Sequence, residues 1–284
     1  MKMNCLKKQL IYSVLTFNLF LAFSIQAQDI AGVFDLANKM KLEGNYEASI
    51  KLYQRVNFFG DGYKNTECLI GTADSYFNLK DYNKAAEFYE FAYFSTTNDS
   101  LKNLIALSKS AIFIYNKKFL EALQELFSIE AEEGNVAKAK NIYLATAYYG
   151  LNRFNDCKTV LFDLISDTVS KMLLDRLIKR AERAQRKNPK TAKILSMIIP
   201  GMGQFYAGDI KNGINSLLIT SAFMYLMVNT SIQYSVFEAT SVLPWFSRYY
   251  VGGFNRAQTI TINRVEDRQY QIYLQIMKIV EQKS

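Results

Sequence analysis

The sequence predicts an all-α protein, a solenoid of helical hairpins followed by a C-terminal transmembrane helical hairpin, and three observations carry that prediction. Four aromatics, Tyr46, Tyr82, Phe119 and Phe154, recur at spacings of 36, 37 and 35 residues with the same framework of small and large side chains around each. Two stretches, 194–208 and 212–237, hold no charged residue. Only 3 prolines and 13 glycines occur in 284 residues, yet one proline and three glycines fall within IIPGMGQFYAGD at 198–209, breaking a chain that otherwise reads as helix. With 50% hydrophobic and 14% aromatic residues there is ample material for a core, which excludes disorder as the main state.

Taken in order, residues 1–27 place Lys2, Lys7 and Lys8 before an apolar run, then Gln26 and Ala27, the layout of a secretory signal peptide cut after Ala27. An uncleaved anchor is the alternative, since Ile25 is a mediocre residue three places before the cut; both export the chain beyond Ala27. Cys5 precedes the apolar run, where a lipid-anchored cysteine would not lie. Cys68 and Cys157 fall two repeats apart, too far for the Cα separation of about 4 to 7 Å that a disulfide needs, and are read as buried small hydrophobes.

Residues 28–168 hold four repeats. Three residues after each aromatic stands a small side chain (Ser49, Ala85, Ala122, Cys157), and seven after it a large one (Tyr53, Tyr89, Leu126, Leu161). Ten after it comes Val56, Ala92, Ile129 or Leu164. Nine residues before it stands another small residue (Ala37, Ala73, Ser110, Ala145), and six before it a large apolar one (Met40, Tyr76, Phe113, Tyr148). Offsets of 3, 7 and 10 share one helical face. Small residues at fixed points let two antiparallel helices approach, and large ones fill the groove beside them.

This helix, turn, helix period, seen best in GNYEASIKLYQRV and KDYNKAAEFYEFA, resembles the tetratricopeptide repeat. Repeat three departs by Ser110 and a longer connection through Asn98 and Asp99, repeat four by Cys157, and none carries the family's turn proline. The resemblance implies a stacked scaffold whose groove binds protein or peptide partners. The blander alternative is a spacer that only holds the chain off a membrane. Tyr76, Tyr82, Tyr89, Tyr148 and Tyr149 could line a binding surface, but at helical spacing most are expected in the core.

Residues 169–193 read as a basic amphipathic linker helix. Nine basic residues face two acidic ones between 171 and 193, a local excess of seven within a formal net charge of +8. The leader supplies three more positive charges, so the remainder is at −2, and a nucleic-acid function loses its support. Met172, Leu173, Leu177 and Ile178 form the apolar stripe. The basic face is expected to contact lipid headgroups through Lys179, Arg180, Arg183, Arg186 and Lys187; the alternative is a solvated helix that caps the last repeat.

Residues 194–255 read as a membrane-associated helical domain. The run over 212–237 is long enough to span a hydrocarbon core, which needs roughly 20 residues. Before it, Pro200, Gly201 and Gly203 predict a bent or partly re-entrant helix packed through its glycines on the helix after Asp209, with a tight turn from Gly208 to Gly213. IIPGMGQFYAGDIKNG resembles a recurrent membrane motif, PGxGQxYxGxxxxG, found in two-helix membrane domains including those appended to repeat proteins of the Bacteroidota envelope type. Every fixed position is met: Pro200, Gly201, Gly203, Gln204, Tyr206, Gly208 and Gly213. The resemblance implies a location rather than an activity. Pro244, Trp245, Phe246, Tyr249 and Tyr250 around Arg248 fit a membrane interface, and residues 256–284 read as an amphipathic C-terminal helix. The basic segment conflicts with the positive-inside rule if the signal exports it, unless it meets anionic headgroups from the periplasmic face.

Histidine is absent, which removes the commonest general base and metal ligand. No P-loop, nucleophile elbow or CxxC occurs, and the GxG in GMGQFYAG lacks the preceding strand and the acidic partner of a dinucleotide site. Asp61, Asp74, Asp99, Glu132 and Glu133 read as solvated repeat surface. The sequence therefore predicts a non-catalytic, membrane-anchored scaffold with its repeats in the periplasm, with no catalytic residue, metal, cofactor, nucleic acid or small-molecule substrate. Its partners are proteins in the repeat groove and membrane lipid. The alternative is a membrane-biogenesis or transport accessory in which the glycine-kinked hairpin is the working part.

Overall fold

The computed structural model describes residues 29–131 and 133–283, and every regular element among them is an α-helix. The predicted signal, 1–27, lies outside the described residues. The chain forms two compact units, Met1–Ala131 and Glu132–Ser284, so the division falls inside the stretch read as four repeats.

The N-terminal unit holds three antiparallel hairpins: α1 (Ile30–Leu42) with α2 (Tyr46–Phe59), α3 (Asn65–Asn78) with α4 (Tyr82–Ser95), and α5 (Asp99–Tyr115) with α6 (Phe119–Phe127). A fourth hairpin, α7 (Gly134–Gly150) with α8 (Phe154–Leu164), opens the C-terminal unit. All four turns are built alike. The residue two places before each aromatic, Gly44, Lys80, Lys117 or Asn152, is left-handed, with φ of 80°, 64°, 58° and 60°. The next N–H, of Asn45, Asp81, Lys118 or Arg153, donates to the carbonyl of Met40, Tyr76, Phe113 or Tyr148. This six-to-one closure satisfies the last carbonyls of the first helix and stops it without a proline. Asn45 and Asp81 then cap the second helix by accepting from Ala48 N (3.3 Å) and Lys84 N (3.2 Å). Lys118 and Arg153 supply no side-chain cap, so those turns rest on the backbone.

Packing follows the sequence framework. Every residue nine before, three after and seven after the anchoring aromatic is buried. Leu164, ten after Phe154, is only half-buried, and its neighbour Ile165 enters the core instead. Repeats one and two share a further bond: the Tyr53 hydroxyl donates to Asn38 Oδ1 (2.6 Å) and the Tyr89 hydroxyl to Asp74 Oδ1, in each case fifteen residues back. Lys41 also pairs with Asp74 at 2.8 Å, so this residue is a tie between helices rather than solvated surface. Gly71 is glycine because the Tyr53 ring occupies the place of its side chain. Tyr89 and Tyr149 are in the core; Tyr76, Tyr82 and Tyr148 are half-buried.

In the C-terminal unit α9 (Thr168–Gln185) follows the fourth hairpin, then α10 (Pro189–Ile198), the short α11 (Met202–Ala207), α12 (Ile210–Gln233), the single turn α13 (Val236–Ala239) and the 41-residue α14 (Leu243–Lys283). Two expected boundaries change. The linker 169–193 is not one helix: it stops at Gln185, and Asn188 caps a new helix by accepting from Lys190 N (2.8 Å), with Pro189 at its first position. No break exists at 255/256, because α14 runs through both segments. The buried stripe of α9 is also shifted, to Leu174, Leu177, Ile178 and Ala181, leaving Met172 and Leu173 exposed.

The second half of α14 covers the fourth hairpin. Ile272, Ile276 and Val280 are buried with Tyr149, Phe154, Cys157, Leu161, Leu174 and Ile178. The Tyr149 hydroxyl donates to Gln269 Oε1 (2.6 Å), and Gln269 Nε2 donates to the Ala181 carbonyl (2.9 Å). The basic helix α9 and the C-terminal helix together give the last repeat the partners that its apolar face requires.

Candidate functional site

The glycine-rich motif is a double turn. Ile199 is extended, as a residue before proline must be. Pro200 and Gly201 (φ 90°) form the central pair of a type II turn closed by Met202 N to Ile199 O at 3.1 Å. After the six residues of α11, Gly208 (φ 88°) and Asp209 repeat the closure seen in the four hairpins: Asp209 N donates to Gln204 O at 2.8 Å. Asp209 then caps α12, accepting from Asn212 N (3.2 Å) and Asn212 Nδ2 (2.7 Å). If Ile210 is set against the anchoring aromatics, Gly201 stands nine before it and Gly213 three after, the two small positions of the repeat. The glycine-rich motif therefore uses the repeat's own hairpin geometry, contracted to glycine where the repeats have alanine, serine or cysteine.

The contraction is required by contact. A Cβ on Gly201 would overlap the Gly213 carbonyl oxygen, and one on Gly213 would meet the Phe205 ring. Gly203 lies against the Ala192 carbonyl of α10, so it packs on the preceding helix rather than on the one after Asp209. Gly213 is inside α12, one turn beyond the tight turn, which is Gly208 and Asp209 alone.

Gln204, 1% exposed, ties three segments together. Its Oε1 accepts from Ser196 Oγ (2.8 Å), which itself accepts from Gly203 N (2.8 Å), and its Nε2 donates to the Gly253 carbonyl of α14 (2.9 Å). Tyr206 clamps the turn between α9 and α10: its hydroxyl accepts from Asn188 N (3.0 Å) and its carbonyl from Lys187 Nζ (2.9 Å). Pro200, Gly201, Gly203, Gln204, Tyr206, Gly208 and Gly213 are thus brought together as one junction. The motif did not point to Ser196, Gly253 or Asn188, which complete it from outside.

The five basic residues expected to meet headgroups do not share one surface. Lys179 pairs with Asp175 (2.7 Å), whose carboxyl is held below its usual range by hydrogen bonds from Lys158 and Lys179. Lys187 is engaged at Tyr206. Arg180 and Lys187 line an open cleft of about 520 Å³ with Arg264 and Arg268, and Arg186 lies at another with Glu182. Arg183 is exposed in the last turn of α9.

Among the described residues no helix is long and apolar enough to cross a membrane. The physical reason is in α12, where Asn212, Asn215, Ser216, Thr220, Asn229 and Gln233 dilute a helix whose one charged residue is Lys211. The same region nevertheless leaves twenty large apolar side chains exposed between positions 194 and 251, Ile198, Leu218, Phe237 and Trp245 among them. A second cleft, of about 260 Å³, opens between α12 and the first half of α14.

The two cysteines of the repeat region are free and buried, as expected. Burial pushes the Cys157 thiol up to about 12 and, as the leading cause, the Cys68 thiol up to about 11, so neither offers a thiolate near neutral pH.

Comparison with protein-family models, with curated proteins and with solved structures finds no match to this chain.

Proposed function

We propose that this protein is a non-catalytic, membrane-associated scaffold of the cell envelope, with tetratricopeptide-like hairpins that hold protein partners and a C-terminal domain that seats in lipid. The observation that carries the reading is the exposed apolar surface of residues 194–251. Twenty large side chains left in water are far beyond the scattered exposure of an ordinary surface. The exposed surface of the N-terminal unit supports the partner half: Phe58 and Phe59 on α2, Phe91 and Phe94 on α4 and Phe127 on α6 are all exposed, each toward the C-terminal end of a second hairpin helix. Aromatics in such positions are the anchors that protein interfaces favour.

Alkaline carbonate extraction of envelopes tests the membrane half. The full chain should remain in the pellet, and a variant with Leu218→Lys, Leu226→Lys and Val228→Lys should extract into the supernatant while keeping its helical circular dichroism. Free extraction of the unaltered chain would sink the reading. The polar cleft inside the hairpin favours the second reading, in which the hairpin itself acts as a membrane-biogenesis or transport accessory.

A further inference from the structure

The hairpin of α12 and the first half of α14 is inverted relative to a pair of helices in a water-soluble core. Asn212, Asn215, Ser216 and Thr220 stand at offsets of 0, 3, 4 and 8 on α12 and face the cleft. Arg248, Gly252 and Arg256 face it from α14 at the same spacing of four. Leu218, Val228, Trp245 and Val251, on the same two helices, are exposed.

No acidic residue lines the cleft. Neither Arg248 nor Arg256 forms an ion pair among the described residues; the charge of Arg256 is felt by Asp209, but that carboxylate is held by Asn212 and lies 3.7 Å from Arg264. Two guanidinium groups on one cleft, neither closed by a direct ion pair, repel each other and gain from an anion.

The two glycines of α14 differ in their surroundings. A Cβ on Gly253 would press on Ser216 Oγ at 2.9 Å, so this glycine serves helix packing. A Cβ on Gly252 would meet nothing within 4 Å, so the space above it is not needed to bring the helices together. It is open volume beside an arginine. The cleft's 260 Å³ corresponds to about nine water molecules at ~30 Å³ each, the scale of a small phosphorylated headgroup.

Resting on the membrane reading above, we propose that this cleft binds a phosphate ester, and that its source is the headgroup of an anionic phospholipid. The arginines take the phosphate oxygens; Asn215, Ser216 and Thr220 meet the hydroxyls or ester oxygens beside it. The surrounding apolar faces lie along the acyl chains.

The test is vesicle co-sedimentation with the full chain, comparing pure phosphatidylcholine with phosphatidylcholine containing about a quarter phosphatidylglycerol. The unaltered protein should bind the anionic vesicles at least tenfold more tightly. Gly252→Leu, whose Cβ meets nothing within 4 Å, and Arg248→Gln should each lower affinity for the anionic vesicles to that for phosphatidylcholine, with phosphatidylcholine binding unchanged and thermal unfolding not lowered. Arg176→Gln, an equal charge change on α9 outside the cleft, should keep the preference. If Arg176→Gln erases the preference as Arg248→Gln does, or Gly252→Leu leaves it intact, attraction is delocalised and the proposal is overturned. Millimolar glycerol phosphate should not compete; if it does, the cleft takes free phosphate esters and the lipid source is wrong. Binding to phosphatidylcholine without any anionic preference sinks the cleft alone, whereas binding to neither vesicle sinks the membrane reading itself.

Discussion

Glycine has three separate meanings within sixty residues of this chain, and each predicts a different response to alanine. At Gly201 a side chain would be both in the left-handed region and against the Gly213 carbonyl; at Gly203 the backbone is ordinary but the Ala192 carbonyl fills the space. Gly203→Ala should therefore destabilise by about 1–3 kcal/mol through overpacking, and Gly201→Ala by more, whereas Gly252→Ala should be neutral or stabilise by up to about 1 kcal/mol through helix propensity. Urea unfolding in a mild detergent checks the order, and equal losses at Gly203 and Gly252 would contradict the packing. Cys157 gives a second prediction. Its folded thiol keeps its proton to about pH 12 while an unfolded thiol ionises near 8.5, roughly. The folded state thus holds the extra proton between those values, so this contribution to stability is full below about pH 8.5 and is lost as pH rises toward 12. Cys157→Ala should flatten the alkaline fall in the unfolding midpoint, and thiol reagents at pH 8 should label Cys157 only as fast as its surroundings open. Much at this scale was legible. The small positions around Tyr46, Tyr82, Phe119 and Phe154 and the large one seven residues after each enter the core as their spacing required, whereas the large one six before each is only half-buried. The partner of Gln204 was not, because the Gly253 carbonyl lies 49 residues downstream and no local pattern joins the two.

Among the elements, the hairpin turn is the unit that recurs, five times when the junction of α11 with α12 is included. Its left-handed residue is glycine at 44 and 208 but lysine at 80 and 117, where a Cβ costs roughly 1–2 kcal/mol. Lys117→Gly should stabilise the N-terminal unit by up to about 1 kcal/mol once glycine's own entropy is set against the relief. The same change at Lys102, in the first turn of α5, should instead destabilise, and thermal unfolding distinguishes the two signs. The sequence showed where the aromatics fell but not why the chain turned without the proline of the family it resembles. The answer lies in backbone closures such as Asp81 N to Tyr76 O, which any residue tolerant of positive φ can make. Helix ends in the C-terminal unit were less legible. Asn188 and Pro189 are ordinary start signals hidden within a basic run, while the expected boundary at 255/256 is absent because α14 is continuous, with Gly253 packed on Ser216 of α12.

For the whole molecule, the charge and hydropathy pattern located the unusual region without revealing its arrangement. An uncharged run over 212–237 reads as a membrane span if only its length is counted. Folded, it is a helix whose polar stripe turns toward α14 and whose apolar side chains point outward. The C-terminal tail, read as an amphipathic helix, supplies Ile272, Ile276 and Val280 to the core of the fourth hairpin, so removing it should unfold α7 to α9 as well. A chain truncated before α14 would be no clean test of anchoring. The single tryptophan gives a better one, since Trp245 is 55% exposed near the start of α14 among the apolar side chains assigned to lipid. Its emission should shift to the blue when the full chain meets phosphatidylcholine vesicles, and brominated acyl chains should quench it. An emission maximum that stays where water leaves it, with no quenching by brominated lipid, would contradict the claim that this surface seats in a membrane.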